Sequence, residues 1–243
     1  MSFQPRIEVK LAAWRNDSAE SRAADAAFAK AKRTILSKRI GASGQLMCEG
    51  CGAVTLAGGG NGQTDQGWFD IHHRNGDHTN HSEENLSVAC PFCHMPFHLG
   101  FHAMRGNGIL VFAPEFSQRS ISRICWIALL GMTRNDDLVV KAKDIYQSLA
   151  TRGDKLVRWF GEGFTLDMAN ALYGCGKSEQ SNPKELSASC RKLLERVQQS
   201  GGFSALRFLP DIESEELAER AAYWQNIYRK ESWPTLSPTK APF

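Results

Sequence analysis

Two C-x-x-C pairs, Cys48/Cys51 and Cys90/Cys93, constrain the folding of this 243-residue chain more than any other feature. Two intervening residues let both sulfurs of a pair face one ion at about 2.3 Å, and two pairs complete a tetrahedron. A structural zinc ion is therefore expected on Cys48, Cys51, Cys90 and Cys93, with no coordination position left open for chemistry. The segment between the pairs contains Gly58, Gly59, Gly60 and Gly62, so a module of this size would draw much of its folding energy from the metal. A disulfide framework is disfavoured, because the cysteine count of 7 is odd and no export signal is evident. A thioredoxin-like role needs a βαβ pattern beside the pair, which is absent. Cys125, Cys175 and Cys190 stand alone in apolar or helical contexts and read as small buried hydrophobes.

All 7 histidines fall between His72 and His102. One run is Asp70-Ile71-His72-His73-Arg74-Asn75-Gly76-Asp77, followed by Ser82-Glu83-Glu84-Asn85-Leu86. The second cysteine pair continues as Cys90-Pro91-Phe92-Cys93-His94-Met95-Pro96-Phe97-His98. His94 and His98 stand four apart, so on a helix they share a face and can hold one ion. Pro96 would fall in the first turn, where its missing N–H costs little. His78, His81 and His102 read as surface or loop histidines.

Elsewhere the pattern is mostly helical. Ser18–Arg39 is alanine-rich, lacks Gly and Pro, and spaces Phe28, Ala31, Ile35 and Leu36 as a helix does. Its terminal Lys30, Lys32, Arg33, Lys38 and Arg39 complement the helix dipole. Val54–Gln66 reads as a glycine-rich loop, and Trp68–His72 and Gly108–Phe112 as short strands. From Ser117 the chain is expected to be helical to its end. Ser117 caps a helix through Leu130, and further helices are expected at Asp136–Ala150, Asp154–Trp159 and Thr165–Leu172. Pro183–Gln199 and Ser214–Lys230 complete the set, the last with a stripe of Leu217, Ala221, Trp224 and Tyr228. The expected division is an N-terminal helical segment (1–47), a zinc module (48–116), a C-terminal helical region (117–233) and an unstructured tail (234–243).

The hydrophobic content of 42% suffices for a core. No apolar run approaches the roughly 18 to 20 residues that cross a bilayer; the longest, Ile121–Met132, is broken by Ser122 and Arg123. The first residues lack a signal-peptide layout, so a soluble cytoplasmic protein is expected. A net charge of +3 does not by itself imply nucleic acid.

The stretch Cys48–His98 resembles the HNH, or ββα-metal, family of nucleases in its zinc-bearing form. That family carries C-x-x-C, a strand ending in His-His, an Asn-Leu, and C-x-x-C-H-x-x-x-H in this order. The resemblance implies an α+β, predominantly helical fold, with an HNH-like treble-clef ββα zinc module flanked by helices. It also implies that His72, His94 and His98 would ligate a second, catalytic divalent metal, that His73 would be the general base, and that Asn85 would hold the His73 loop. A longer resemblance runs over Val9–Leu130. It includes Val9-Lys10-Leu11-Ala12-Ala13-Trp14-Arg15, His98-Leu99-Gly100-Phe101-His102, Gly108 to Glu115, and Ile124-Cys125-Trp126. These residues are similar to the IcmJ/DotN family of type IVB secretion systems. This likeness implies a zinc-stabilised scaffold without nuclease activity, cytoplasmic but peripheral to the inner membrane. Its partners would be the C-terminal segment of a DotL-like coupling ATPase and the adaptor proteins beside it.

Two readings follow. A scaffold would clamp a segment of the ATPase, with Trp159-Phe160, Trp224, Tyr228 and Trp233 either lining a groove or simply packing as core aromatics. An endonuclease would bind DNA and needs a positive surface beside His73. Arg74 and Arg105 lie near that site in sequence, but so do Asp70, Asp77, Glu83 and Glu84. The only basic cluster is Lys30–Arg39. This balance and the longer resemblance favour the scaffold. A zinc-dependent DNA-binding module without cleavage meets the same objection.

Overall fold

The computed structural model describes residues 3–8, 19–40, 44–56, 69–130, 137–180, 188–199 and 202–215, together with Leu217, Ala221 and Trp224. The first helix, α1 (Ala19–Arg39), ends where Ile40 N–H reaches Leu36 O at 3.0 Å. Ile35 and Leu36 are buried on its inner face. Lys38 and Arg39 in its last turn pair with Glu83 and Glu49. The basic cluster at the helix end is thus partly neutralised.

Among the described residues, three antiparallel two-stranded sheets follow. The first joins β1 (Gln45–Met47) to β2 (Val54–Leu56), pairing Gln45 with Leu56 and Met47 with Val54. The expectation of a loop from Val54 is corrected here: Val-Thr-Leu is a β-forming tripeptide, and it zips against β1 to brace the first cysteine pair. Residues 57–66 of that expected loop lie outside the described residues. The second sheet pairs β3 (Asp70–His73) with β4 (Leu86–Ala89), Asp70 opposite Ala89 and His73 opposite Leu86. The expected strand lies slightly later than its Trp68–His72 placing, with Trp68 outside the described residues.

The run bearing His94 and His98 is not one continuous helix. It consists of α2 (Pro91–His94), a 3₁₀ turn at Met95–His98, and α3 (Leu99–Met104). Pro96 is the cause. It has no N–H to give the Phe92 carbonyl four residues back. That carbonyl instead accepts the Ser122 hydroxyl at 2.9 Å.

The third sheet overturns the expectation of helices alone after Ser117. Strand β5 (Gly108–Phe112), which was expected, pairs with β6 (Leu206–Pro210), which was not. Leu206-Arg207-Phe208-Leu209-Pro210 is apolar and buried at all but Arg207, so it lacks the alternation that marks a half-exposed strand. On its other edge β6 is held by α4 (Gln118–Leu130). The Gln118 amide donates to Phe208 O at 2.7 Å and accepts from Phe208 N–H at 2.9 Å, as a neighbouring strand would. Ser117 caps α4 as expected, its Oγ accepting Ser120 N–H at 3.1 Å.

The two helices expected at Asp136–Ala150 and Asp154–Trp159 are one, α5 (Asp137–Phe160). Gly153 lies inside it at a helix-propensity cost of about 1 kcal/mol relative to alanine. The gain is proximity: a Cβ there would come within 2.4 Å of Ile109 Cδ1, so any larger residue would make the Ile109 side chain turn aside. Helix α6 (Phe164–Gln180) runs beyond its expected end at Leu172, and α7 (Ala188–Gln199) follows, with Pro183 outside the described residues. Glu215, Leu217, Ala221 and Trp224 are helical, with Leu217 and Trp224 fully buried. Tyr228, Trp233 and the expected tail lie outside the described residues. One core runs from Phe3 through the cysteine and histidine segments to Trp224. Among the described residues no helix is long and apolar enough to cross a membrane.

Candidate metal centre

The first cysteine pair occupies the tight connection between β1 and β2. Gly52 N–H bonds Cys48 O at 2.9 Å, Cys48 N–H bonds Ala53 O at 2.7 Å, and Gly52 takes φ = +84°, which glycine adopts without strain. Glu49, inside the pair, docks this turn on β4. Its N–H reaches Val88 O at 2.9 Å, and its carboxylate accepts Val88 N–H at 3.2 Å and the Arg74 guanidinium at 2.6 Å. Cys90 and Cys93 open α2 at the end of β4, and Cys90 N–H donates to Cys48 Sγ at 3.2 Å.

These elements bring Cys48, Cys51, Cys90 and Cys93 together, with all four sulfurs within 4.8 Å of one another and buried. Cys51 Sγ and Cys90 Sγ are 3.6 Å apart. A tetrahedral zinc–thiolate centre with bonds of about 2.3 Å places its sulfurs roughly 3.8 Å apart, so the donor set and its size fit zinc. Electrostatics agree. Burial opposes ionisation of Cys48, yet hydrogen bonds from the other three thiols hold it well below the ordinary thiol value. Burial, and then the neighbouring Cys48, push Cys90 and Cys93 well above it. Ionising all four in so small a buried space would need a cation among them. Cys125 is buried nearby on α4, outside this group, and burial raises its thiol. The side chains of Cys175 and Cys190 lie outside the described residues.

A second convergence involves His72, His94 and His98, whose ring nitrogens also come within 4.8 Å of one another. His72 is buried between Phe97, with ring centroids 4.0 Å apart, and Phe3 at 5.4 Å. His94 Nδ1 is 3.2 Å from Asp70 Oδ2. A carboxylate only accepts, so Nδ1 carries the proton and Nε2 presents its lone pair, 3.1 Å from His98 Nε2. Asp70, which sequence reasoning counted only as a repulsive charge, is an orienting group.

His73 is placed differently. It is only 1% exposed, with Phe28 of α1 against its ring at a centroid distance of 4.8 Å and His78 at 4.7 Å. Its Nε2 is 3.1 Å from His81 Nδ1. His78 and His81 lie half-buried in the loop after β3, where a surface or loop placing was expected, and both pack on His73. His102, read as a surface or loop residue, is buried on α3. Asn85 orders the loop after His73. Its Oδ1 accepts Asn75 N–H at 3.0 Å, and its amide donates to Asn80 O at 2.7 Å. Arg74 is tied to Glu49 and Ser87, and the Arg105 guanidinium sits over the Phe101 ring at 4.4 Å.

Of the aromatics weighed as a groove and lying among the described residues, Trp224 is fully buried, Phe160 stacks on Phe164 and Trp159 projects, at 55% exposure. Sequence reasoning missed Glu49 and Trp126 at the cysteine group, Asp70 beside His94, and Phe28 over His73. Only Asp70, two residues before His72 on the same strand face, carried a readable signal.

No family model matches the chain. The chain is similar to the Type 4 apparatus protein DotN of Legionella pneumophila, at 28% identity over 166 residues that take in 66% of this chain and 70% of DotN, a likeness that supports the resemblance to the IcmJ/DotN family.

Proposed function

We propose that this chain is a zinc-held scaffold subunit of a type IVB secretion coupling complex. In this reading an HNH-like treble-clef module and the helices around it bind the C-terminal extension of a DotL-like coupling ATPase. The protein sits at the cytoplasmic side of the inner membrane through that complex, and supports recruitment of substrates alongside adaptor proteins. The likeness to a Type 4 apparatus protein carries this reading. The zinc ion on Cys48, Cys51, Cys90 and Cys93, when bound, supplies cohesion: it ties the β1–β2 turn to the start of α2 and thereby fixes the surface around them. Burial of His73 beneath Phe28 favours a scaffold over a catalyst, since a general base must reach the proton it removes. The test is co-purification with the tagged C-terminal extension of the coupling ATPase. We expect a complex that survives gel filtration and is lost with Cys48→Ser; failure of the wild-type protein to associate contradicts the proposal.

One observation favours a second reading, an HNH endonuclease acting on DNA. His72, His94 and His98 converge, and Asp70 aims His94. A divalent ion held there would stabilise the scissile phosphate and the leaving oxygen. His73 would accept the proton of the attacking water, and Asn85 would hold its loop. This needs His73 to part from His81 and Phe28. Metal-dependent plasmid nicking that disappears in His73→Ala would establish this second reading; equal background in both proteins would exclude it.

A further inference from the structure

The cysteine cluster receives a hydrogen bond from outside the segment that contains its four ligands. Trp126, on α4, donates its indole N–H to Cys90 Sγ at 3.1 Å. The ring is 4% exposed and lies edge-on to Phe92 at 5.3 Å and to Trp224 at 4.5 Å. Two further groups of the same helix reach this region: Arg123 Nε–H donates to Cys51 O at 2.9 Å, and the Ser122 hydroxyl to Phe92 O. Indole is a donor only, and its N–H is directed at the sulfur.

We propose that Trp126 is a positioning residue of the metal centre that lowers the charge and reactivity of the Cys90 thiolate, and that Trp224 holds the indole in place for that task. The proposal rests on the reading that the four sulfurs bind a metal. Four thiolates around a divalent cation leave a surplus of two negative charges in a buried site. A donor at Cys90 withdraws electron density from that sulfur, which makes it a poorer nucleophile and a less easily protonated ligand. Because Trp224 belongs to the C-terminal segment, the packing of that segment becomes linked to how firmly the metal is held. Trp126 therefore has a role distinct from filling core volume, which phenylalanine could also do.

The experiment uses the full chain loaded with cobalt(II), zinc or cadmium-113. In wild-type protein carrying cadmium-113, NMR is expected to show a scalar coupling from the Trp126 indole proton to the metal through the hydrogen bond. The Cys90 amide, which donates to Cys48 Sγ, serves as an internal control. In Trp126→Phe, one metal per chain is retained. The thiolate-to-cobalt charge-transfer band moves to longer wavelength, and zinc release by N-ethylmaleimide becomes several-fold faster. Trp224→Leu shifts both readouts in the same direction by less. A coupling seen from the Cys90 amide but not from the indole overturns the proposal even if the Trp126 variant fails to fold. An unchanged band and release rate in a folded Trp126→Phe does so as well. Wild-type protein without any charge-transfer band overturns the metal reading itself, and this proposal with it.

Discussion

The cysteine and histidine clusters share β3, β4 and the short helical run after them, yet they are built to opposite ends. The four sulfurs are sealed, drawn from two segments, and pinned by main-chain amides, Glu49 and Trp126. The second cluster is half open: His72 is buried, but the His94 side chain is 21% exposed and its partner Asp70 29%. His73, the residue that would give that opening a catalytic use, is packed away under α1. The difference teaches that a ligand set and a catalytic site are separable. Convergent imidazoles make a place for an ion, but a reaction also needs a base that substrate can reach.

The comparison can be broken most sharply at the sulfur end. Cys48→Ser or Cys93→Ser is expected to abolish metal retention and the cooperative melt of the central region, because apparent folding energies of structural zinc run to about 10 kcal/mol or more. Metal analysis and calorimetry check this. Gly50→Ala tests the fit of the turn without replacing a ligand. Its Cβ would stand 2.8 Å from Cys93 Sγ and 3.1 Å from the Phe3 ring, so a loss of about 1–3 kcal/mol is expected in chemical denaturation.

Acidification sharpens the same contrast. Cys90 and Cys93 are held protonated in the metal-free protein by burial and then by Cys48, so binding must release protons. Affinity at the sulfur centre therefore climbs with rising pH and falls as pH drops. Calorimetry in buffers of different ionisation enthalpy should register more than one proton released per metal. At the histidine end the effects are smaller. Asp70→Asn should weaken divalent-ion binding there by about 10-fold to 100-fold and leave the zinc content of the sulfur centre unchanged. His73→Ala should leave plasmid nicking at the wild-type background, which a gel assay reads directly.

Much of this arrangement was legible in the residues. The C-x-x-C spacing names its four ligands, because local geometry forces both sulfurs of each pair to one side. The spacing of His94 and His98 brings their nitrogens together despite the break at Pro96. Tertiary placement was not legible. Phe28 is one apolar position in a helical pattern, and nothing in α1 says that its ring will cover His73. Strand β6 is buried at all but Arg207 and shows no alternation, and Gly153 looks like a helix stop until Ile109 is seen beneath it. Trp126 reads as an ordinary core aromatic, since a hydrogen bond to a sulfur 36 positions away leaves no local trace.

The most direct test of the account is X-ray absorption at the zinc edge on the full chain purified without added metal. Four sulfur neighbours at about 2.3 Å and one zinc per chain are the predicted result. A folded protein whose Cys48, Cys51, Cys90 and Cys93 titrate as free thiols, or a zinc ion with nitrogen and oxygen in its first shell, would contradict it.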